Sequence, residues 1–317
     1  MEPYDPYPPV RSGRRPRRSD RFDGRDDVAV DPRLTAFVAD PDDGPLARSW
    51  RPAVDTGLPD EPSWSTWLGA VHGPEPIPRW VVTDLGALDT DLGVLKTGKE
   101  ADVHLVQRAV PGGASCLLAA KRYRGSEHRL FHRDAGYLEG RRVRRSRETR
   151  AMARRTEFGR DLLSSQWAGA EFAALARLWD AGRDGCVRVP YPVQLHGTEV
   201  MLEFIGSADG VAAPRLAQLR PGGPLLDVLW NQCVTALLAL AGLGLAHGDL
   251  SPYNVLVHEG ELVLIDLPQI VDVVANPQGP AFLARDVRVM AAWFSARAVE
   301  VDVPALTADC LRAAGLG

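Results

Sequence analysis

Apolar and polar positions change their spacing along this chain of 317 residues, and the changes mark its elements. From Arg79, "RWVVTDLGALDTDLGVLKTGKEADVHLVQRAVPGGASCLLAAKRYR" alternates in short runs, with Val103 and Leu105 on one face, as strands joined by turns do. Pro111-Gly112-Gly113 supplies a hairpin turn into a strand over Cys116–Arg122. "SSQWAGAEFAALARLWDAG" then shifts to helical spacing through Trp167, Phe172, Leu175 and Leu178, and Gly182 stops the run. "VRVPYPVQLHGTEVMLEFIG" returns to strands. From Pro224 onward the pattern is helical apart from a hairpin over 255–265, and no internal repeat is visible. The order predicts an antiparallel sheet followed by a mostly helical half.

Two segments stand outside this pattern. Residues 1–77 are rich in Pro, Arg and Asp, with little apolar periodicity, and read as a disordered or loosely docked extension. Within it, "SWSTWLGAVH" at 63–72 predicts a short helix that docks on the folded part. Arg11, Arg14, Arg15, Arg17, Arg18, Arg21 and Arg25 form a basic arm whose plainest role is a solvated tail. Residues 124–165 carry nine arginines between Arg141 and Arg160 and read as a part-helical insertion. Either a solvated helix face or a contact with an anionic partner explains such a run.

Composition narrows the class. The chain is 45% hydrophobic and 25% charged, with a net charge of −4, as in ordinary globular proteins. Four scattered cysteines without a CxxC pair suggest reduced thiols rather than zinc or disulfides. The longest uncharged run, Val228–Ala246, is interrupted by Asn231, Gln232 and Thr235 and reads as a buried core helix, not a membrane span. No secretory pattern opens the chain, so a cytoplasmic location without a membrane is expected. Only Lys96, Lys99 and Lys121 among 37 basic residues are lysines, which draws attention to positions needing a compact ammonium.

The chemistry gathers in "HGDLSPYNVLVHEGELVLIDL", residues 247–267. Asp249 and Asn254 stand on a loop after the apolar helix, and Asp266 ends the strand "LVLI". Asp249 can accept a proton from an attacking hydroxyl, while Asn254 and Asp266, at facing ends of a hairpin, can share a hard divalent cation. Pro252 stiffens the loop, and His247 reads as a brace for its backbone. H-x-D-x₄-N followed by an apolar strand and Asp is the catalytic-loop arrangement of kinases. Lys121 ends "LLAAK", and Glu171 sits in the amphipathic helix as a partner able to orient it. "KTGKEADV" is a tight turn between strands, where Gly98 lets backbone approach phosphate.

Taken in order, "KTGKEADVHLV", "LAAKRYR", "MLEFIG" followed by "APRL", "HGDLSPYNVL" and "LIDLPQIVD" resemble the signature segments of the RIO atypical protein kinases. The resemblance covers roughly residues 80–300, and "TGKEA" is closer to the first RIO subfamily than to the second. It implies an α+β, bilobal protein-kinase-like fold: a small antiparallel-sheet N-lobe over 78–206, with the Arg-rich insertion, and a reduced, mostly helical C-lobe over 207–317. It also implies ATP as substrate with Mg²⁺ or Mn²⁺. By the matched motifs Asp249 is the base, Asn254 and Asp266 are metal ligands, and Asp266 is a candidate phospho-aspartate. Lys121 holds phosphate with Glu171 beside it; Thr97, Gly98, Lys99 and Glu100 form the phosphate loop; backbone of Glu203 and Ile205 meets adenine.

Thr97 departs mildly from the Ser often found there, and the long insertion leaves Glu148 and Glu157 as other candidate partners of Lys121. The leading function is an ATP-dependent serine/threonine protein kinase of RIO type that also phosphorylates itself. A second is a RIO-type ATPase switch on a ribosomal or RNA-containing particle, anchored by the Arg-rich segments. A small-molecule phosphotransferase shares the "HGD…N…D" core but not "TGKEADV", and a pseudokinase scaffold conflicts with the complete polar set.

Overall fold

The computed structural model describes residues 61–124, 157–182 and 185–317, with side chains of the first long helix described from Ser164. Residues 1–60 and most of the Arg-rich insertion, 125–156, lie outside the described residues, as does Glu148.

The first lobe is built on one antiparallel sheet. Its long strands, β3 (Leu88–Thr97), β4 (Ala101–Ala109) and β5 (Ser115–Tyr123), arise where alternation predicts them, with Pro111-Gly112-Gly113 turning the chain between β4 and β5. Two further strands, β6 (Pro192–His196) and β7 (Glu199–Glu203), join through β7 on β5. Two very short strands finish the sheet: β1 (Ser63–Trp64) on β3, and β2 (Val71–His72) on β6. The strand order is β1-β3-β4-β5-β7-β6-β2, so β1 and β2 occupy opposite margins although residues 65–70 alone separate them. The sheet therefore curls until one short segment spans both margins.

That segment corrects the sequence reading. "SWSTWLGAVH" forms strand, single 3₁₀ turn (Trp67–Gly69) and strand instead of a docked helix, and residues 61–77 belong to the folded lobe. Two-residue strands are too short to show alternation, and inward-facing Trp67 with its neighbours mimics helical spacing.

The curled sheet encloses Trp67, Val81, Val106, Leu118, Ala120, Tyr191, Val193 and Met201. A whole guanidinium lies among them. Arg108, 0% exposed, donates from Nε and Nη2 to the two Asp89 carboxylate oxygens at 2.7 and 2.8 Å and from Nη1 to Gln194 Oε1 at 2.9 Å. Gln194 Nε2 donates to Thr66 Oγ1 at 2.7 Å, and the guanidinium lies 5.9 Å from the Trp67 ring centroid. Burying this charge is tolerable because its counter-ion and hydrogen bonds are complete. The other sheet face packs Ala101, Tyr123 and Val200 against Ala168 and Phe172 of helix α1 (Glu157–Ala181).

The second lobe surrounds helix α2 (Gly223–Gly242), whose Leu225, Leu226, Leu229, Cys233, Ala236, Leu237, Leu240 and Ala241 are buried. By length and composition α2 could cross a membrane, yet here it is the axis of a core completed by helices α3 (Gly279–Ser295) and α4 (Val303–Ala313). Each fully buried Leu contributes about 1.5–3 kcal/mol. After α2 comes strand β8 (Leu245–Ala246), then the expected hairpin of β9 (Val255–His258) and β10 (Glu261–Leu264). Strand β11 (Val271–Asp272) returns to pair with β8, a ribbon too short for the periodicity to reveal. The predicted α+β architecture of a small sheet lobe and a mostly helical lobe is thus present. All four cysteines are free thiols.

Candidate active site

One ammonium joins the two lobes across the cleft. Lys121, near the end of β5, donates from Nζ to Glu171 Oε1 of α1 at 2.7 Å and to Asp266 Oδ1 of the second lobe at 2.6 Å. Sequence order alone left Glu148 and Glu157 open as partners; the geometry selects Glu171. Tyr123, two residues beyond the lysine on β5, donates its hydroxyl to Glu171 Oε2, and the Leu267 N–H donates to Glu171 Oε1 at 3.3 Å. The glutamate is therefore held from both lobes. Burial lowers the Lys121 pKa, but Glu171 and Asp266 outweigh it and keep the ammonium above its usual range. Burial alone would raise the Asp266 carboxyl; Lys121, with Lys96 and His247 behind it, brings it down to about 2. Asp266 also carries φ 67°, a left-handed backbone that costs a non-glycine residue about 1–3 kcal/mol and recurs at functional sites.

The loop from His247 to Asn254 hangs from the end of β8. Gly248 has φ 83°, and a Cβ there would stand 2.4 Å from the Gln269 carbonyl oxygen, so this position requires glycine. His247, wholly buried, braces the chain as expected, with Nε2 3.0 Å from the Ile265 carbonyl oxygen. Asn254 lies at the foot of β9 and Asp266 just past β10. The Ile265 N–H donates to the Asn254 carbonyl at 3.0 Å, so the hairpin holds the two residues at its open end. The Asn254 amide nitrogen donates to the Asp249 carbonyl at 2.9 Å, which turns its side-chain oxygen away from that bond. The structure thus brings together Lys121, Glu171 and Asp266 directly, and Asp249 with Asn254.

The predicted phosphate loop is the turn joining β3 to β4. Gly98 N–H donates to the Ala101 carbonyl at 3.0 Å, and a Cβ at Gly98 would come within 2.8 Å of that oxygen. Thr97 and Lys99 are exposed, and Glu100 is partly covered. At the end of β7 the Glu203 N–H is taken by the Tyr191 carbonyl and the Ile205 carbonyl by the Ala213 N–H. The Glu203 carboxyl accepts from Tyr191 N–H at 3.0 Å, and burial pushes its pKa up.

Sequence reasoning missed several residues. Cross-strand register places Lys96 opposite Val103, and Val103 opposite Lys121, so both lysines share one sheet face. Lys96 keeps much of its length in solvent, yet the cleft walls and then Arg215 lower its pKa, with Asp266 partly offsetting them. Arg215, from "APRL", donates to the Tyr253 carbonyl in the loop. From α3, Asp286 accepts from Gly248 N–H at 2.9 Å and Leu250 N–H at 3.1 Å, and Arg285 reaches Asp249. The scarcity of lysine singled out Lys96 together with Lys99 and Lys121, and "APRL" carried Arg215. A separate cavity of about 620 Å³, lined by Trp179, Arg188, Gln232, Thr235 and Glu261 among others, includes none of these site residues.

Residues 125–306 match the family model described as the RIO domain. The chain belongs to the RIO kinase family. The RIO-type serine/threonine-protein kinase Rio1 of Haloferax volcanii is 34% identical over 220 residues, covering 68% of this chain and 67% of that protein. The serine/threonine-protein kinase RIO1 of Chaetomium thermophilum is 30% identical over 217 residues, 66% of this chain but 40% of its own length. Among solved structures, the Rio2 kinase from the same fungus aligns with a TM-score of 0.45 and 20% identity, over 70% of this chain and 66% of that one. A RIO kinase takes ATP as its phosphate donor. In this chain Lys121 and the phosphate turn precede the residues matched by the family model, and the contact with Glu171 and Asp266 ties Lys121 to them.

Proposed function

We propose that this protein binds ATP with Mg²⁺ between its lobes and transfers the γ-phosphate to a serine or threonine hydroxyl of a protein, itself included. The observation that carries this reading is the Lys121 ammonium bonded at once to Glu171 and Asp266 across the two lobes. In the family arrangement that lysine reaches the α- and β-phosphates, and Glu171 keeps it aimed. Lys96, on the same sheet face, adds a second ammonium beside the triphosphate. The Gly98 turn lets backbone N–H groups approach phosphate oxygens. The Glu203 N–H and Ile205 C=O are used within the protein, and in this reading the Glu203 C=O and Ile205 N–H go to an adenine edge.

The oxygen donors fit Mg²⁺. Asn254 has its amide nitrogen engaged and its oxygen free to coordinate, and Asp266 keeps Oδ2 when Lys121 holds Oδ1. Mg²⁺ takes one or two protein oxygens and completes its shell with phosphate and water. When bound, Mg²⁺ supplies charge neutralisation at the phosphates. Asp249 orients the attacking hydroxyl and takes its proton. Most of the acceleration is then positioning and electrostatics.

Incubation with γ-labelled ATP tests the assignment. Asp249→Ala should keep nucleotide binding while nearly abolishing transfer, and Lys121→Ala should weaken both. Labelling by Asp249→Ala at the wild-type rate would remove the base. Acid and base stability of the label separates phosphoserine from phospho-aspartate at Asp266. Contact of the Arg-rich segments with a ribosomal or RNA-containing particle, and a cytoplasmic location, extend the proposal; the basic arm and most of the insertion lie outside the described residues.

A further inference from the structure

Helix α3 lies behind the catalytic loop and presents two consecutive side chains to it. Asp286, 1% exposed, accepts from the backbone N–H groups of Gly248 and Leu250. Its neighbour Arg285 works the opposite polarity. Nη1 donates to the Gly248 carbonyl at 2.6 Å, and Nη2 donates to Asp249 Oδ1 at 3.0 Å. One planar guanidinium thus bridges the backbone just before the aspartate and the aspartate's own carboxylate. Asp249 makes only two bonds among the described residues, through its main-chain carbonyl to Asn254 and through Oδ1 to Arg285. Oδ2 is left for an incoming hydroxyl.

We infer that Arg285 is a positioning residue for phosphoryl transfer: it fixes the Asp249 carboxylate relative to the loop backbone, so that Oδ2 alone faces the acceptor. The inference rests on the assignment of Asp249 as base made above. Its physical ground is the shape of guanidinium. A fork of two N–H groups in one plane sets both distance and angle, whereas an ammonium is a point charge that can satisfy one of these acceptors well. Arg285 and Asp249 both remain part-exposed, at 42% and 39%, so the pair contributes little as a stabilising salt bridge. What it supplies is orientation, and displacement of a reacting group by about 1 Å can cost ~100-fold in rate.

The experiment compares wild type, Arg285→Ala, Arg285→Lys, Asp249→Ala and the double variant Asp249→Ala/Arg285→Ala in the full chain. Transfer of labelled γ-phosphate to casein and ATP hydrolysis are measured with ATP affinity and melting temperature. Arg285→Ala should lower turnover by roughly 10- to 100-fold and change ATP affinity by less than about 3-fold, because the loss falls on alignment and not on nucleotide contacts. Arg285→Lys should recover only part of the loss. Added guanidinium ion should raise the turnover of Arg285→Ala several-fold and leave Asp249→Ala unchanged. In the Asp249→Ala background the second substitution should cost nothing further. Turnover of Arg285→Ala within about 2-fold of wild type would overturn the inference. So would a loss that tracks melting temperature and ATP affinity and ignores guanidinium, since that is a structural role. In both cases an inactive Asp249→Ala leaves the base assignment standing. Wild-type turnover by Asp249→Ala would instead remove the base, and the inference with it.

Discussion

Arg108 lies buried among Asp89, Gln194 and Trp67 in the first lobe, whereas the second lobe encloses Leu229, Leu237, Leu240, Val287 and Phe294 around α2. The contrast follows from size and shape. A curled sheet with a small apolar cluster has little apolar area to bury, and a complete polar network fixes its register where packing alone would leave it loose. The helical lobe has area to spare. It commits three of its buried polar groups, His247, Asn254 and Asp286, to the loop that carries Asp249. The first lobe divides its buried polarity between its own fold, in Arg108, Asp89 and Gln194, and the cleft, in Lys121 and Glu171; the second lobe turns His247, Asn254 and Asp286 to the loop.

The largest expected effect breaks the first half of that contrast. Arg108→Ala strands a carboxylate in the sheet interior and should cost about 3–5 kcal/mol in denaturant unfolding, with loss of ATP binding. A cost below about 1 kcal/mol would mean that water replaces the arginine and that its polar network is not structural. Leu237→Ala, in the apolar lobe, should cost about 2–5 kcal/mol by leaving a cavity, while turnover below the new melting point persists. Thr66→Val removes the partner of the Gln194 amide and should cost about 1–2 kcal/mol; no measurable change would detach residues 63–72 from the network. The smallest effect concerns the contact between lobes. Because Asp266 is held at about 2, its attraction to Lys121 is fully present above the ordinary carboxylate range and fades only as pH falls toward that value. A carbon-13 titration of its carboxyl with a midpoint near pH 4, about the unperturbed value, would show that Lys121 and Asp266 do not pair in solution.

Much of the candidate site was legible because the chemistry expected of it imposes spacing. Asp249, Asn254 and Asp266 sit at intervals set by a loop and a hairpin, and Lys121 stands near the end of an apolar strand. Arg108 and Asp89 were not legible, since a charged residue in a half-buried strand reads as solvent-facing until its counter-ion is known to be opposite. Their strands pair in that register, a tertiary fact. Arg285 and Asp286 look like ordinary charges on an amphipathic helix, and only the placement of α3 behind residues 248–250 gives them a task. Residues 63–72 were misread for a simpler reason: strands of two residues are defined by their neighbours.

Those same residues decide how the protein can be shortened. A truncation starting at Arg79, where alternation begins, would strip β1 and β2 from opposite margins of the sheet in one cut. Two rows of raw peptide groups would then face water, each a template for a neighbouring molecule to zip onto. Such a fragment should precipitate or self-associate even with every proposed catalytic residue intact, and a soluble shortened version should begin before Ser63.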